Sequence, residues 1–220
     1  MTEHQEEAPR RGPRIARQFG EPRGLLGLLV GRGMARGNAG LNRWVAATLV
    51  DHISGPARRV IELGSGPGVG LVALHHAFPD AQLWGLDRSP LMVRRAGRQI
   101  SRLDGERVSV QLGDATDLMQ FAPVDLIVAV HVLYFWSDPV SQLGMIRDAL
   151  REGGALALAY QTQQRMPAFA QRNFPTAGHQ LYDDDEKVRS LATAGGFSST
   201  ELLVKREPGG EEGRMLLARR

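Results

Sequence analysis

The sequence predicts an α/β fold with a doubly wound, mostly parallel seven-stranded sheet whose last strand is antiparallel. The main observation is an alternation. Between residues 58 and 160, five short apolar runs typical of buried strands are separated by longer segments typical of helices. The second observation is the C-terminal part, where a helix precedes two strand-like runs joined by PGGEEG, which favours a hairpin.

Each element has its own local signal. The strands are the runs RRVIEL, AQLWGLD, RVSVQL, VDLIVAV and ALALAY, followed by SSTELLVKRE and GRMLLARR in the C-terminal pair. Helices are predicted over residues 67–78, 90–102 and 137–152 between these strands, and over 183–194 before the pair. Proline at the first position supports the second of these helices, and Gly153-Gly154 is expected to end the third.

A chain of 220 residues fits one domain of this kind. Residues 1–20 are rich in charged residues, proline and glycine, so we expect a disordered tail there. Residues 21–54 carry apolar residues at helical spacing and are predicted to form an N-terminal helical region. Residues 55–220 form the main domain, in which residues 161–182 connect the fifth strand to the last helix.

Composition excludes several classes of function. The chain has no cysteine, which rules out disulfides, cysteine–zinc sites and thiol catalysis, and we expect no metal site. The net charge is only +3 and the arginines are scattered, whereas a nucleic-acid binder typically has a clustered basic stripe. No apolar run approaches the ~20 residues of a membrane span. The N-terminus lacks a signal-peptide pattern, so we expect a cytoplasmic protein.

The stretch VIELGSGPGVG, residues 60–70, carries the strongest signal for a ligand. Its four alternating glycines lie between the first strand and a helix, where an open α/β sheet binds its ligands. Glycine permits positive φ and lets a ligand touch the backbone, although a plain turn also uses one or two glycines. The dinucleotide pattern G-x-G-x-x-G would need a glycine where Val69 stands, so the spacing departs from that of nicotinamide cofactor sites.

Three acidic residues lie near the predicted ends of the first three strands. Asp87 follows Gly66 by 21 residues, where a carboxylate can accept two hydrogen bonds from a ribose diol. Asp114, in LGDATDL, lies where an adenine edge would be read. Glu62 is costly in a buried strand unless paired, and is expected to orient the loop or meet a cationic ligand group. The structural alternatives are a helix cap for Asp87, a turn for Asp114 and a solvated strand end for Glu62.

Together these motifs resemble the class I S-adenosylmethionine (SAM)-dependent methyltransferases, in the small-molecule branch (types 11 and 25) that includes quinone-biosynthesis enzymes. The resemblance covers roughly residues 35–220, with the glycine loop, GLDRSPLMV, LGDATDL, the block from VDLIVAV to ALAL, and TAGGFSSTELL in family order. It implies a Rossmann-like sheet with strand order 3-2-1-4-5-7-6. It also implies that residues 21–54 form a lid over the cofactor, with Met34, Asn38 and Trp44 as contacts.

The resemblance further implies SAM as the methyl donor, S-adenosylhomocysteine as the product, and a set of cofactor-binding residues. The glycine loop would face the methionine part of SAM, Glu62 its ammonium group, Asp87 the ribose, and Asp114 the adenine edge. The full set is Glu62, Gly64, Ser65, Gly66, Pro67, Gly68, Asp87, Arg88, Met92, Gly113, Asp114, Ala115, Val130 and His131. SAM has no phosphate, which fits a loop that no P-loop lysine follows.

The acceptor side is less defined by the sequence. His131, just after the fourth strand, is the candidate general base because imidazole titrates near neutral pH; a histidine that packs on the cofactor is the alternative. In this family the segment 161–182 helps wall the acceptor pocket, and its residues indicate a small, planar or lipophilic acceptor; a plain surface connection is the alternative. The predicted acceptor-side residues are Tyr134, Arg165, Phe169, Phe174, His179 and Tyr182.

Two other functions share this fold. A NAD-dependent oxidoreductase would use the same kind of ribose-binding acid, and a non-catalytic module would bind SAM without transferring its methyl group. We expect a small-molecule substrate, no nucleic-acid partner and no membrane span. The apolar patch LLGLLV, residues 25–30, is expected to pack onto the domain, with contact to a membrane surface as the alternative. The acceptor molecule, its reacting atom and the oligomeric state stay open at this point.

Overall fold

The computed structural model describes residues 39–103, 106–206 and 212–220. The predicted tail at residues 1–20 and residues 21–38 of the predicted lid, including Met34 and Asn38, lie outside the described residues. Seven strands form one sheet: β1 (Arg59–Leu63), β2 (Gln82–Asp87), β3 (Val108–Leu112), β4 (Val124–Val130), β5 (Leu150–Tyr160), β6 (Ser199–Arg206) and β7 (Glu212–Arg219).

Helices cover both faces of this sheet. They are α1 (residues 39–52), α2 (Val69–Ala77), α3 (Pro90–Ile100), α4 (Pro139–Ala149), α5 (Ala168–Asn173) and α6 (Asp185–Ala194). Short 3-10 helices occupy Ala115–Phe121, Leu133–Phe135, Gln163–Arg165 and Pro175–Ala177. Side-chain caps fix the starts of three helices. Ser89 accepts a backbone N–H of α3, Asp138 one of α4 and Asp184 one of α6. No helix in the described ranges is long and apolar enough to cross a membrane.

The strand order is β3-β2-β1-β4-β5-β7-β6, which confirms the predicted topology. Strands β1 to β5 pair in parallel, and β7 runs antiparallel to both β5 and β6. The chain order reverses between β1 and β4, which lie side by side in the middle of the sheet. The carboxyl ends of these two strands therefore border the crevice in which such sheets bind ligands.

The central strands are buried on both faces, as expected for a parallel sheet covered by helices. Along β1, Val60 and Ile61 are both fully buried but belong to different cores, because successive side chains of a strand point to opposite faces. One core packs α4 and α6 against the sheet, and the other packs α1 and α2. The sheet is thus held rigid beneath the crevice.

The largest boundary difference from the sequence prediction lies between α4 and β5. The helix predicted to continue to residue 152 ends earlier, and β5 begins at Leu150 and runs through Gly153 and Gly154. Leu150 is fully buried and pairs with Val124, which favours the extended backbone. Gly153 has φ 71°, and a Cβ on Gly154 would lie 3.1 Å from the carbonyl oxygen of Val124. The two glycines therefore allow an irregular strand rather than end a helix.

The described part of the predicted lid packs on the sheet. In α1, Val45 and Leu49 are buried in the core that α2 also covers. Trp44 lies against Gly213 of β7, where a Cβ would come 2.8 Å from the indole ring. Helix α1 is therefore part of the domain core.

Candidate functional site

A cleft opens at the carboxyl ends of β1 to β4, with a volume of about 750 Å³ that includes its open mouth and the adjoining solvent. Most of its residues follow the end of a strand, and the parallel topology brings those ends to one edge. Ten of the fourteen predicted cofactor residues line it: Gly64, Gly66, Asp87, Arg88, Met92, Gly113, Asp114, Ala115, Val130 and His131.

The glycine loop between β1 and α2 turns through left-handed backbone. Gly64 and Gly66 have φ of 73° and 52°, values that glycine adopts without steric cost. The N–H groups of Gly64 and Ser65 donate to the carbonyl of Leu86 at 2.7 and 3.0 Å, which ties the loop to β2. A Cβ on Gly66 would meet no atom within 4 Å, so this glycine faces the open space of the cleft.

Asp87, at the end of β2, holds this loop through its carboxylate. Oδ2 accepts the N–H of Gly66 and Oδ1 accepts that of Ser89, both at 2.8 Å. Burial raises the pKa of Asp87, and the two N–H groups and the Arg88 charge oppose that rise. Because a carboxylate has about four acceptor sites, each oxygen can still accept a hydroxyl from the cleft. Asp87 can thus fix the loop and a ribose diol at the same time.

Asp114 caps the 3-10 helix that follows β3. Its Oδ1 accepts the N–H of Thr116 at 2.9 Å and the Thr116 hydroxyl at 2.7 Å, while Asp117 accepts the N–H of Asp114 at 3.0 Å. The bonds from Thr116 lower the pKa of Asp114. Its Oδ2 lies 3.8 Å from Nε of Arg88 at the cleft. Asp114 therefore does have the turn role that is the structural alternative for it. Its Oδ1 serves the turn, and its Oδ2 is the oxygen available to a ligand.

Glu62 lies behind the glycine loop and does not line the cleft. It is 3% exposed, and a Cβ on Gly70 would overlap its Oε1, so glycine is needed there to make room for the carboxylate. The N–H of Leu71 bonds to the carboxylate, whereas Oε2 has no hydrogen-bond partner within the described part of the chain. Burial and the charge of Asp87 raise the pKa of Glu62 to about 8. The alternative of a solvated strand end is wrong.

Three other predicted cofactor residues, Ser65, Pro67 and Gly68, belong to the loop but not to the cleft lining. Ser65 is buried against β2, and a Cβ on Gly68 would lie 3.0 Å from Cα of Ala96 in α3. Gly68 therefore allows the loop to pack closely on α3. The structure places Trp44, predicted as a lid contact, on β7 and not in this lining.

His131 follows β4 and is the one non-glycine residue with positive φ, 56°, among the described residues. Its N–H donates to the carbonyl of Ala159 at 2.8 Å, and its Nδ1 lies 3.3 Å from the hydroxyl of Tyr134. Burial lowers the pKa of its imidazole to about 4, so the ring is neutral at neutral pH. Left-handed backbone in a side-chain-bearing residue is costly and typically occurs at functional sites.

The lining also contains residues that the sequence did not indicate: Leu63, Val132, Phe135, Trp136 and Gln142. Phe135 and Trp136 belong to the run VLYFW, which begins one residue after β4 ends, and an aromatic run at that place is a signal for a cleft wall. Gln142 lies in the first turn of α4 and carries no signal of this kind.

The predicted acceptor-side residues lie behind the cleft wall, and none of the six is in the lining that the described residues form. Tyr134, Phe174 and His179 surround Phe135, whose ring centroid is 4.8 Å from that of His179 and 5.7 Å from that of Phe174. The segment 161–182 therefore supports the wall through Phe135.

The other three predicted acceptor-side residues, Arg165, Phe169 and Tyr182, are also absent from the cleft lining. Tyr182 is buried and its hydroxyl donates to Oε1 of Gln180 at 3.1 Å. Phe169 is half-buried and Arg165 is exposed. Direct contact of these three with an acceptor would require a different arrangement of the segment.

The charges and shape of the cleft fit SAM. Asp87 and Asp114 line it, with Arg88 as the one basic residue of its described lining, which suits a cationic nucleoside without phosphate. Space beside Gly66 is open, and the unpartnered Oε2 of Glu62 lies behind the loop. No cluster of His, Cys, Asp or Glu able to hold a metal ion occurs within the described ranges.

The fold and the place of this cleft are those of the class I SAM-dependent methyltransferase domains. The chain belongs to the family described as a methyltransferase domain, whose model matches residues 54–210. The predicted family, fold class and cofactor are confirmed.

Curated proteins match part of this chain in sequence, and solved structures match its fold. A trans-aconitate 2-methyltransferase from Methylobacterium nodulans is 37% identical over 106 residues, which cover 48% of this chain and 39% of that relative. The matched region thus spans less than half of the relative's length. An O-methyltransferase family protein from Burkholderia thailandensis has a similar fold, with TM-score 0.69 and 20% identity over 87% of this chain and 58% of that one. Human N-acetylserotonin methyltransferase in complex with SAM also has a similar fold, with a TM-score of 0.62. It is 19% identical, and the match covers 83% of this chain and 51% of that one.

Proposed function

We propose that this chain transfers a methyl group from SAM to a small, planar acceptor. The observation that carries the proposal is the double role of Asp87, which holds the loop at Gly66 and keeps acceptor capacity toward the cleft. Phe135 and Trp136 line the same cleft with aromatic surface, which suits a planar molecule.

Different residues of the cleft bind different parts of the cofactor. Asp87 accepts the ribose hydroxyls, Oδ2 of Asp114 accepts the adenine amino group, and the backbone at Gly64 and Gly66 contacts the methionine part. SAM supplies a methyl group on a positively charged sulfur, which makes the group reactive toward a nucleophile. The contribution of the chain is then mainly to position the two reactants, which can supply much of the rate.

The acceptor class is narrowed by two considerations. The name of the Methylobacterium relative indicates that it acts on trans-aconitate, an unsaturated tricarboxylic acid. The aromatic residues Phe135 and Trp136 favour planar molecules in general, including phenols and quinols. The acceptors to examine are therefore planar acids and planar hydroxyl compounds.

Calorimetry with SAM and S-adenosylhomocysteine tests the cofactor site. The Asp87→Ala variant is expected to bind both ligands about 10- to 100-fold more weakly, because it loses charge-assisted hydrogen bonds and loosens the loop. Asp80→Ala, which changes an exposed acid in the turn before β2, is the matched control and is expected to bind normally. No binding up to millimolar concentration, or equal affinity in wild type and Asp87→Ala, contradicts the proposal.

A labelled-methyl transfer screen tests the reaction. The acceptors are trans-aconitate, simple carboxylates, phenols, quinols and amines, each with S-adenosylhomocysteine formation as the second readout. Binding of SAM without transfer to any acceptor would identify a non-catalytic module. Quenching of NADH fluorescence on titration, without SAM binding, would identify the oxidoreductase instead.

A further inference from the structure

A hydrogen-bonded chain runs from the cleft to the start of the segment after β5. The backbone N–H of Gln161 donates to the Tyr134 hydroxyl at 2.5 Å. The same hydroxyl lies 3.3 Å from the carbonyl oxygen of Gln161 and 3.3 Å from Nδ1 of His131. Tyr134 is 3% exposed and does not line the cleft, whereas His131 does.

The single proton of the Tyr134 hydroxyl decides the tautomer of His131. A tyrosine hydroxyl donates one hydrogen bond and accepts through its lone pairs. If it donates to the Gln161 carbonyl, it accepts from both the Gln161 N–H and the Nδ1–H of His131, and all three groups are paired. If it donates to Nδ1, the Gln161 carbonyl loses this partner. The first arrangement satisfies more buried polar groups and is therefore favoured.

In that arrangement Nε2 of His131 carries no proton. Nδ1 bonds to Tyr134, which does not line the cleft, whereas His131 does; Nε2 is therefore the ring nitrogen left to contact a molecule in the cleft. The hydrogen bond from the His131 backbone N–H to the Ala159 carbonyl and the left-handed φ of His131 fix the direction in which its side chain leaves the backbone. An unprotonated Nε2 can accept a proton from a molecule in the cleft but has none to donate.

We infer that Tyr134 is a positioning residue that keeps the His131 proton on Nδ1, so that Nε2 receives the proton of a hydroxyl acceptor. This inference rests on the proposed methyl transfer and narrows its acceptor class. A carboxylate acceptor brings no proton, and would be oriented better by the opposite tautomer with Nε2–H as donor.

The proton balance is complete within this scheme. The acceptor oxygen forms a bond to the methyl carbon, and the electron pair of the broken carbon–sulfur bond stays on sulfur. The acceptor's own proton passes to Nε2 of His131 and then to solvent. An oxygen that gains a methyl group while still protonated is strongly acidic, so an imidazole of low proton affinity suffices to accept its proton.

Nitrogen NMR of histidine-labelled protein reads the tautomer directly and needs no turnover. Wild type is expected to show His131 protonated on Nδ1, and Tyr134→Phe is expected to lose this preference. Tyr160→Phe is the matched control, because it removes another buried tyrosine hydroxyl that bonds to Asp185 at 2.7 Å. It is expected to leave the His131 tautomer unchanged. A wild-type ring protonated on Nε2, or an unchanged tautomer in Tyr134→Phe, overturns the inference.

Kinetics separate this inference from the proposed function. With a hydroxyl acceptor, Tyr134→Phe is expected to lower kcat about tenfold at unchanged KM for SAM, and His131→Asn to lower it about 100-fold. Asparagine tolerates left-handed backbone, so this substitution keeps the local fold. Transfer only to carboxylates, with kcat insensitive to Tyr134→Phe, overturns the inference and leaves methyl transfer intact. Absence of SAM binding refutes the proposed function, while the NMR result still stands by itself.

Discussion

The buried carboxyl of Glu62 makes the stability of the cofactor-free protein depend on pH. Its pKa is raised from the ordinary value of 4.5 to about 8, mainly by burial and then by the charge of Asp87. A folded-state pKa above the unfolded one means that the folded form binds the proton more tightly. The corresponding stability is fully present below pH 4.5 and is lost as the pH rises through about 8.

The size of this effect follows from the two pKa values. At about 1.4 kcal/mol for each tenfold change in proton affinity, a rise from 4.5 to about 8 corresponds to on the order of 5 kcal/mol. Glu62→Gln replaces the carboxyl with an uncharged group of the same shape and removes this dependence. The unfolding free energy of the variant relative to wild type is therefore expected to increase by several kcal/mol between pH 5.5 and 8.5.

Urea unfolding followed by circular dichroism at a series of pH values measures this difference. Glu152→Gln, which changes an exposed glutamate at the start of β5, is the matched control and is expected to follow wild type at every pH. A constant difference between Glu62→Gln and wild type across the range would refute the reasoning, because it would show that burial does not hold the proton on Glu62.

Two further changes test the cleft itself. Gly66→Ala is expected to cost about 1–2 kcal/mol of stability because φ at this residue is 52°. It is also expected to abolish SAM binding, because the added methyl group fills open space in the cleft. Gly40→Ala, in the exposed part of α1, is the control and is expected to bind SAM normally. Thr116→Val is expected to lower stability by about 1 kcal/mol at nearly unchanged SAM affinity, whereas Asp114→Ala lowers both. Urea unfolding and calorimetry measure these effects, and wild-type affinity in Gly66→Ala or Asp114→Ala contradicts the assignment of the cleft.

The sequence predicts the cofactor side of this site well because strand ends determine it. Gly64, Asp87, Gly113 and His131 each follow directly on, or close, a strand whose apolar run is recognisable in the sequence. In a parallel sheet those positions meet at one edge whatever the exact helix boundaries are. An error of two residues at a helix end therefore leaves the predicted cleft in place.

The acceptor side depends on tertiary packing, which residue type alone does not reveal. Gln142 reaches the cleft because α4 packs beside it. The segment 161–182 folds back instead of lining the cleft, since the N–H of Gln180 donates to the carbonyl of Tyr134 at 2.9 Å and that of Gln163 to Tyr182 at 2.6 Å. Its aromatic residues suggested a pocket wall, but their rings pack behind Phe135.

The elevated pKa of Glu62 also connects the loop to ligand binding. A cationic ligand in the cleft stabilises the charged carboxylate, so binding lowers the pKa of Glu62 from about 8 and releases a proton near neutral pH. SAM affinity of the wild type is therefore expected to rise with pH up to about 8, and Glu62→Gln to lose this rise. Calorimetry at pH 7 in two buffers with different ionisation enthalpies counts the released protons. Equal counts in wild type and Glu62→Gln would show that the ligand's charge does not reach Glu62 and that its role is confined to packing against Gly70.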